Sequence, residues 1–192
     1  MAVRSENYIL TVAYLNIRGQ SGLTESKKNK IEAFTKFNNC DIVRLQESHI
    51  VEETFSNCDY LTSSFNIIAN NSPTRYGTAS LVRSELMTEN VRFDTEGRAI
   101  VFEIGQFSTA NIYLHSGTDS DSRKGREHYC CETLPQLLLN SNNMGCAGGD
   151  LSCRGQNVQG FAEADKAQRL ERQLPHTLSR RDTMKIQELL VP

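Results

Sequence analysis

Long apolar runs are missing from this 192-residue sequence. No stretch approaches the about 20 consecutive apolar residues that a helix needs to cross a bilayer, so a helical span is excluded and no membrane partner is expected. A surplus of one charge is missing too: 21 Lys and Arg stand against 23 Asp and Glu, a formal net charge of -2. Any anion-binding surface must therefore be a local patch. The six cysteines (Cys40, Cys58, Cys130, Cys131, Cys146 and Cys153) lack paired Cys-x-x-Cys spacing, and no secretory signal opens the chain. Both points argue against a disulfide framework or a zinc site. Reduced thiols in an intracellular protein are expected, with the nucleus as the candidate compartment. Glycine is sparse at 12 residues, which makes "CAGGDLSC" (146–153) conspicuous. There Gly148 and Gly149 stand directly before Asp150. Either the pair marks a turn, or it presents a carboxylate at the end of a buried strand.

What the sequence does contain suits a single soluble domain over 1–192, with 38% hydrophobic and 23% charged residues. "YILTVAYLNIRG" (8–19) reads as a strand, β-branched and aromatic, closed by Gly19. "SKKNKIEAFTKFNNC" (26–40) reads as a helix capped by Ser26, with Ile31, Phe34 and Phe37 at helical spacing. Further strands are expected at 40–48, 65–70, 76–84, 91–96 and 99–117, the last folded back at "GQFS". A helix over 122–140 buries Tyr129, Leu134, Leu137 and Leu138, and "MGCAGGDLS" returns to strand. The polar tail from Gln156 to Pro192 reads as weak helix broken at Pro175. Strands bracketed by helices, with no repeat or linker, predict an α/β fold whose sheets are covered by helices.

Polar residues at strand ends carry the chemistry. Asn16 follows "AYL", Glu47 follows "IVRLQ" and Asp150 follows "CAGG". Magnesium takes oxygen ligands, often one or two carboxylates completed by water and substrate phosphate. Taken singly, Asn16 and Asp150 are turn formers and Glu47 a solvated strand end. Taken in order and separated by helices, they read as a site.

That order, "LNIRG", "LQESHI", "GTASLV", "NIYLHSGTDSDSR", "GGDLS", resembles the endonuclease/exonuclease/phosphatase superfamily. The nearest likeness is to the apurinic-type endonuclease domains of non-LTR retrotransposons, whose pattern runs LNxNG, LQETH, an NxYxP-like strand and GGDFN. It covers roughly residues 8 to 155. The resemblance implies a four-layer β-sandwich flanked by helices, incomplete at its C-terminus. It implies Mg²⁺ or Mn²⁺ held by Glu47, with Asn16 beside it. Tyr113 would orient the scissile phosphate, and Asp150 would activate or position the attacking water. Ser152 stands where the family has Asn; its hydroxyl still donates one hydrogen bond but with shorter reach.

The family's closing Asp-His pair has no counterpart as "DH" in this sequence. His176 and Asp182 lie in the tail, and His176 is a weak substitute. His49 would be a rim contact, and His115 and His128 packing or surface residues. The polar loop 116–127 leads into a helix whose first turn is expected to carry Arg123, Lys124 and Arg126. With Arg18 and Arg75, these are candidate contacts to the DNA backbone, because helix N-termini and cations both attract phosphate. A solvated charged face is the plainer reading.

The function implied is a divalent-metal-dependent DNA endonuclease acting on double-stranded DNA, reverse-transcriptase-associated and a fragment of a longer retrotransposon polyprotein. Without the Asp-His end and its strands, sheet edges are expected to stay open and the chain to cut poorly or not at all. The alternatives are a non-catalytic nucleic-acid or partner-binding remnant, and a phosphoesterase acting on a small or lipid substrate.

Overall fold

A computed structural model describes residues 8–17, 23–50, 52–71, 77–115, 119–138, 144–151 and 185–191. The chain opens with β1 (Tyr8–Asn16), α1 (Glu25–Phe37) and β2 (Ile42–Gln46). A 3-10 turn (Glu52–Phe55) and α2 (Asp59–Ser64) lead to β3 (Phe65–Asn71) and β4 (Gly77–Arg83). The second half runs β5 (Thr88–Phe93), β6 (Ala99–Ile104), β7 (Phe107–Leu114), α3 (Ser120–His128), a π-turn (Tyr129–Thr133), α4 (Leu134–Leu138) and β8 (Met144–Leu151). It ends in β9 (Lys185–Val191). One sheet has the order β3-β4-β2-β1-β9 and the other β5-β6-β7-β8.

Strand alternation sorts the apolar residues into three clusters, and these define the layers. Val12, Tyr14, Ile42 and Val82 of the first sheet meet Ile100 and Phe102 of the second. On the outer face of the first sheet, Ala13, Val43, Leu45, Ala79 and Leu81 pack with Ile31, Phe55 and Leu61. On the outer face of the second, Ala99, Val101, Ala110, Ile112 and Leu114 pack with Tyr129 and Leu134. The result is helix, sheet, sheet, helix, the sandwich expected from the sequence.

Among the described residues, each sheet contains one parallel pair joined by a helical crossover. In the first, β1 and β2 are parallel across α1, with Asn16 opposite Gln46. In the second, β7 and β8 are parallel across α3 and α4, with Tyr113 opposite Asp150. Parallel strands need such crossovers, and they bring the C-terminal ends of both strands to the same rim. Ligands bind beyond those ends in open α/β sheets.

The structure corrects several sequence expectations. Helix α1 is capped by Thr24, not Ser26, with the Thr24 hydroxyl accepting from Lys27 N. Its buried face is Lys28, Ile31 and Thr35. Phe37 projects to solvent at 89% exposure, because the helix ends there and Thr35 already occupies the inward turn. The hairpin turn is Gly105 and Gln106 alone; Phe107 and Ser108 are already strand. The helix predicted over 122–140 is interrupted by the π-turn, which carries Tyr129 inward to donate to Asp94 Oδ2 at 3.0 Å. Part of the tail, "KIQELLV", is strand β9 rather than helix and lies antiparallel to β1, Tyr14 opposite Lys185. Strand β1 is thus paired on both sides, and β9 takes the edge of the first sheet.

Candidate active site

Strand β2 is buried along its whole length. Strict alternation would send the residue after Gln46 to the helix-covered side. Glu47 instead takes a left-handed backbone, φ 51°, a conformation that costs a non-glycine residue on the order of 1 kcal/mol. It turns the carboxylate back toward the second sheet. The flanking backbone fixes this turn: Ile17 N donates to Gln46 O at 3.1 Å and Ser48 N to Gly77 O at 2.8 Å. Gly77 lets the loop pack this closely, since a Cβ there would lie 2.6 Å from His49 N.

Three elements then meet on one oxygen. Asn16 Nδ2 donates to Glu47 Oε1 at 3.0 Å and Tyr113 Oη donates to the same oxygen at 2.7 Å. Asn16 arrives through β1, two residues beyond Tyr14 on the same face, and Tyr113 through the inner face of β7. Tyr113 is held lower down as well, by its N–H donating to Arg98 O at 2.8 Å. Glu47 Oε2 receives no donor from the described residues. Asp150 sits opposite Tyr113 on β8, at the same strand end. The fold thus brings Asn16 and Tyr113 onto Glu47 and places Asp150 in register with Tyr113.

Close approach explains the glycine pair that precedes Asp150. A Cβ on Gly148 would lie 2.5 Å from the Tyr14 hydroxyl oxygen, and one on Gly149 would lie 1.6 Å from Ile112 O. The first glycine lets the Tyr14 ring lie between the sheets; the second lets β8 run tight against β7. The pair belongs to a strand rather than a turn, and it carries Asp150 to the rim.

Polar side chains behind the site were not foreseen. Arg44, fully buried, donates to Tyr14 Oη and Ala110 O, each at 2.7 Å, and to Thr109 Oγ1. Gln46 Nε2 donates to Asn111 Oδ1 at 2.8 Å, and Asn111 Nδ2 to Ala79 O at 2.9 Å. The one sequence signal was spacing: Gln46 precedes Glu47, and Asn111 shares the face of Tyr113 by period two.

Of the basic candidates, Arg123, Lys124 and Arg126 lie on α3. Asp119 caps α3, accepting from Ser122 N at 2.8 Å and Ser122 Oγ at 2.6 Å. Those bonds pull its carboxyl from 3.8 down to about 2. The anion-attracting end of α3 is therefore already filled by the chain's own carboxylate. The first turn carries Arg123 but not Lys124 or Arg126, because the helix starts at Ser120 rather than at Ser122. Arg123 and Lys124 are exposed. Arg126 donates to His115 O at 3.1 Å, tying α3 to the end of β7. Burial first, then the nearby Arg98 and Arg126 charges, lowers the His115 pKa below the usual value. His49, half-buried beside Glu47, also has a left-handed backbone, φ 45°, and its Nε2 has no hydrogen-bond partner among the described residues. His128 is exposed. Arg18, Arg75, Ser152, His176 and Asp182 lie outside the described residues.

The oxygen donors suit a hard divalent cation. Asn16 and Tyr113 steady one carboxylate oxygen of Glu47, and the other receives no donor from the described residues. Among the described residues, no group of three or more His, Cys, Asp or Glu side chains gathers that could hold a metal ion. The low carboxylate count is the pattern Mg²⁺ tolerates when water and phosphate complete its shell.

Two sheets packed face to face and covered by helices are the fold of solved structures of the endonuclease/exonuclease/phosphatase superfamily, and this chain has that fold. No protein-family model matches the sequence, and no curated protein is significantly similar to it. Solved structures are similar. An AP endonuclease from Archaeoglobus fulgidus is 21% identical with a TM-score of 0.58, over 73% of this chain and 56% of that one. TDP2 from Caenorhabditis elegans is 23% identical with a TM-score of 0.56, over 80% of this chain and 51% of that one. The 3′ phosphatase NExo from Neisseria, bound to a product DNA hairpin, is 18% identical with a TM-score of 0.59, over 73% and 56%. The chain thus spans little more than half the length of these structures.

Proposed function

We propose that this chain is a divalent-metal-dependent phosphodiesterase acting on DNA, an endonuclease domain of the non-LTR retrotransposon type. The observation that carries it is the meeting of Asn16 and Tyr113 on Glu47 Oε1, at the rim where Asp150 ends β8 in register with Tyr113. That AP endonuclease and NExo share the fold supports a DNA substrate. The motif order supports the retrotransposon type, double-stranded DNA as the partner, and a longer polyprotein as the source.

Bound at Glu47, Mg²⁺ or Mn²⁺ would supply Lewis-acid stabilisation of the charge that builds on the phosphoryl oxygens. The chain's own groups do the rest. Asn16 and Tyr113 fix the Glu47 carboxylate. The Tyr113 hydroxyl, once a phosphate oxygen competes for it, orients the phosphodiester. Asp150 takes the proton of the attacking water. Ser152, donating one hydrogen bond where an amide would reach further, lowers the rate. Arg123 and Lys124, both exposed, add sequence-tolerant backbone contacts.

The test is hydrolysis of a labelled DNA duplex with Mg²⁺ or Mn²⁺, beside a single strand, a small phosphomonoester and a phosphoinositide. Metal-dependent internal cleavage of the duplex is the expected result. Hydrolysis confined to the phosphomonoester or the lipid would replace the DNA reading with a phosphoesterase.

A further inference from the structure

Two strands on opposite sheets carry a row of polar residues where a sandwich interior is ordinarily apolar. On β2 the inner face presents Arg44 and then Gln46; on β7 it presents Thr109, then Asn111, then Tyr113. The pairs run in order along the seam: Arg44 with Thr109, Gln46 with Asn111, and Glu47, turned inward by its left-handed backbone, with Tyr113. Gln46 and Asn111 are 1% and 0% exposed. Beyond the amide pair, Asn111 Nδ2 donates to Ala79 O at 2.9 Å and reaches Leu45 O at 3.4 Å. It therefore grips the first sheet's backbone on both β4 and β2.

Apolar contacts between sheets tolerate sliding, because dispersion is not directional. A buried amide pair does not, because a slip leaves buried donors and acceptors unmet. We infer that Gln46 and Asn111 are positioning residues: their amide lock sets the offset of the two sheets that holds Tyr113 Oη on Glu47 Oε1 before any substrate arrives. Neither side chain reaches the rim. Both act through the residue next to or two beyond them on the strand. This inference rests on the phosphodiesterase reading for its catalytic consequence, since a misplacement of about 1 Å can cost roughly 10²-fold in rate. Its structural core stands independently of that reading.

The test uses the full chain with ¹³Cζ-labelled tyrosine, in which the Tyr113 signal is assigned by its disappearance in Tyr113→Phe. Glu47→Ala supplies the position of that signal with the hydrogen bond gone. Two double variants carry the question. Gln46→Leu with Asn111→Leu removes both amides at once, and with them the Asn111 donor to Ala79 O and Leu45 O, so some stability is lost. Gln46→Asn with Asn111→Gln keeps an amide pair and moves one methylene across the seam. The expected result is that the leucine pair still melts cooperatively, at a lower thermal midpoint, yet shifts the Tyr113 signal toward the Glu47→Ala position. The amide swap should hold the signal near wild type. Hydrolysis in the leucine pair should fall on the order of 10–100-fold through kcat, with KM changed less than about threefold. A folded leucine pair with an unmoved Tyr113 signal would overturn the inference. If that pair fails to fold, a swap variant that folds and loses the wild-type signal overturns it equally. A wild-type chain that hydrolyses nothing refutes the phosphodiesterase reading, while the Tyr113 signal still decides the positioning role.

Discussion

Tyr113 and Glu47 lie 66 residues apart in the chain and share a 2.7 Å hydrogen bond across the seam of the two sheets. The phenol donates and the carboxylate accepts. The other carboxylate oxygen receives no donor from the described residues.

Replacing Tyr113 by Phe keeps the buried ring and removes the donor. We expect stability to change by about 1 kcal/mol and duplex cleavage to fall on the order of 10–100-fold. Thermal melts beside single-turnover cleavage separate the two effects. A fall in cleavage matched by a collapse of the melt would make Tyr113 a core residue only.

Metal binding should register in stability without any substrate. A cation bound only to the native state at about a hundred times its Kd adds about 2.7 kcal/mol. Titrating Mn²⁺ or Mg²⁺ should raise the thermal midpoint of the wild-type chain, and Glu47→Gln should flatten that rise. An equal rise in the variant would place the cation elsewhere.

Asn16, Glu47 and Tyr113 were legible in the sequence because each closes or follows an apolar strand in a recognisable motif. The order of the strands was legible for the same reason. Strand β9 was not: "KIQELLV" is rich in good helix formers, and only its pairing with β1 decides otherwise. The Gln46–Asn111 bond was not either. It joins residues 65 apart on different sheets, and no local pattern encodes which face of one sheet meets the other. The inward turn of Glu47 needed Gly77, far off in sequence, to admit it.

The two glycines before Asp150 should respond differently to alanine. At Gly148 the obstacle is the Tyr14 ring, a side chain, so Tyr14→Leu should recover part of the stability that Gly148→Ala removes. At Gly149 the obstacle is the Ile112 carbonyl, and no side-chain change relieves a backbone clash. Gly149→Ala should cost more than about 3 kcal/mol and stay unrescued. Denaturant melts of the single and double variants check both statements. Equal effects at the two positions would mean β8 does not approach β7 so closely.

His115 gives a pH dependence of definite sign. Its pKa is lowered in the folded chain by burial and by the Arg98 and Arg126 charges, so the fold favours the neutral ring. Its contribution is complete above the unfolded value of about 6.5 and is lost as pH falls through the lower folded value. Wild-type stability should therefore drop between pH 7 and 5, and His115→Gln should reduce that drop. Melts across this range test it; an unchanged slope would assign the drop to other groups.

The most direct test of the site is nicking of supercoiled plasmid by the chain, its Glu47→Gln variant and its Asp150→Ala variant, each with Mg²⁺ or Mn²⁺ and with a chelator. The account predicts slow accumulation of nicked circles by the unaltered chain, stopped by the chelator and abolished in both variants, while all three proteins melt alike in the chelator. Nicking that survives Glu47→Gln, or no nicking by the folded chain with either metal, would contradict it.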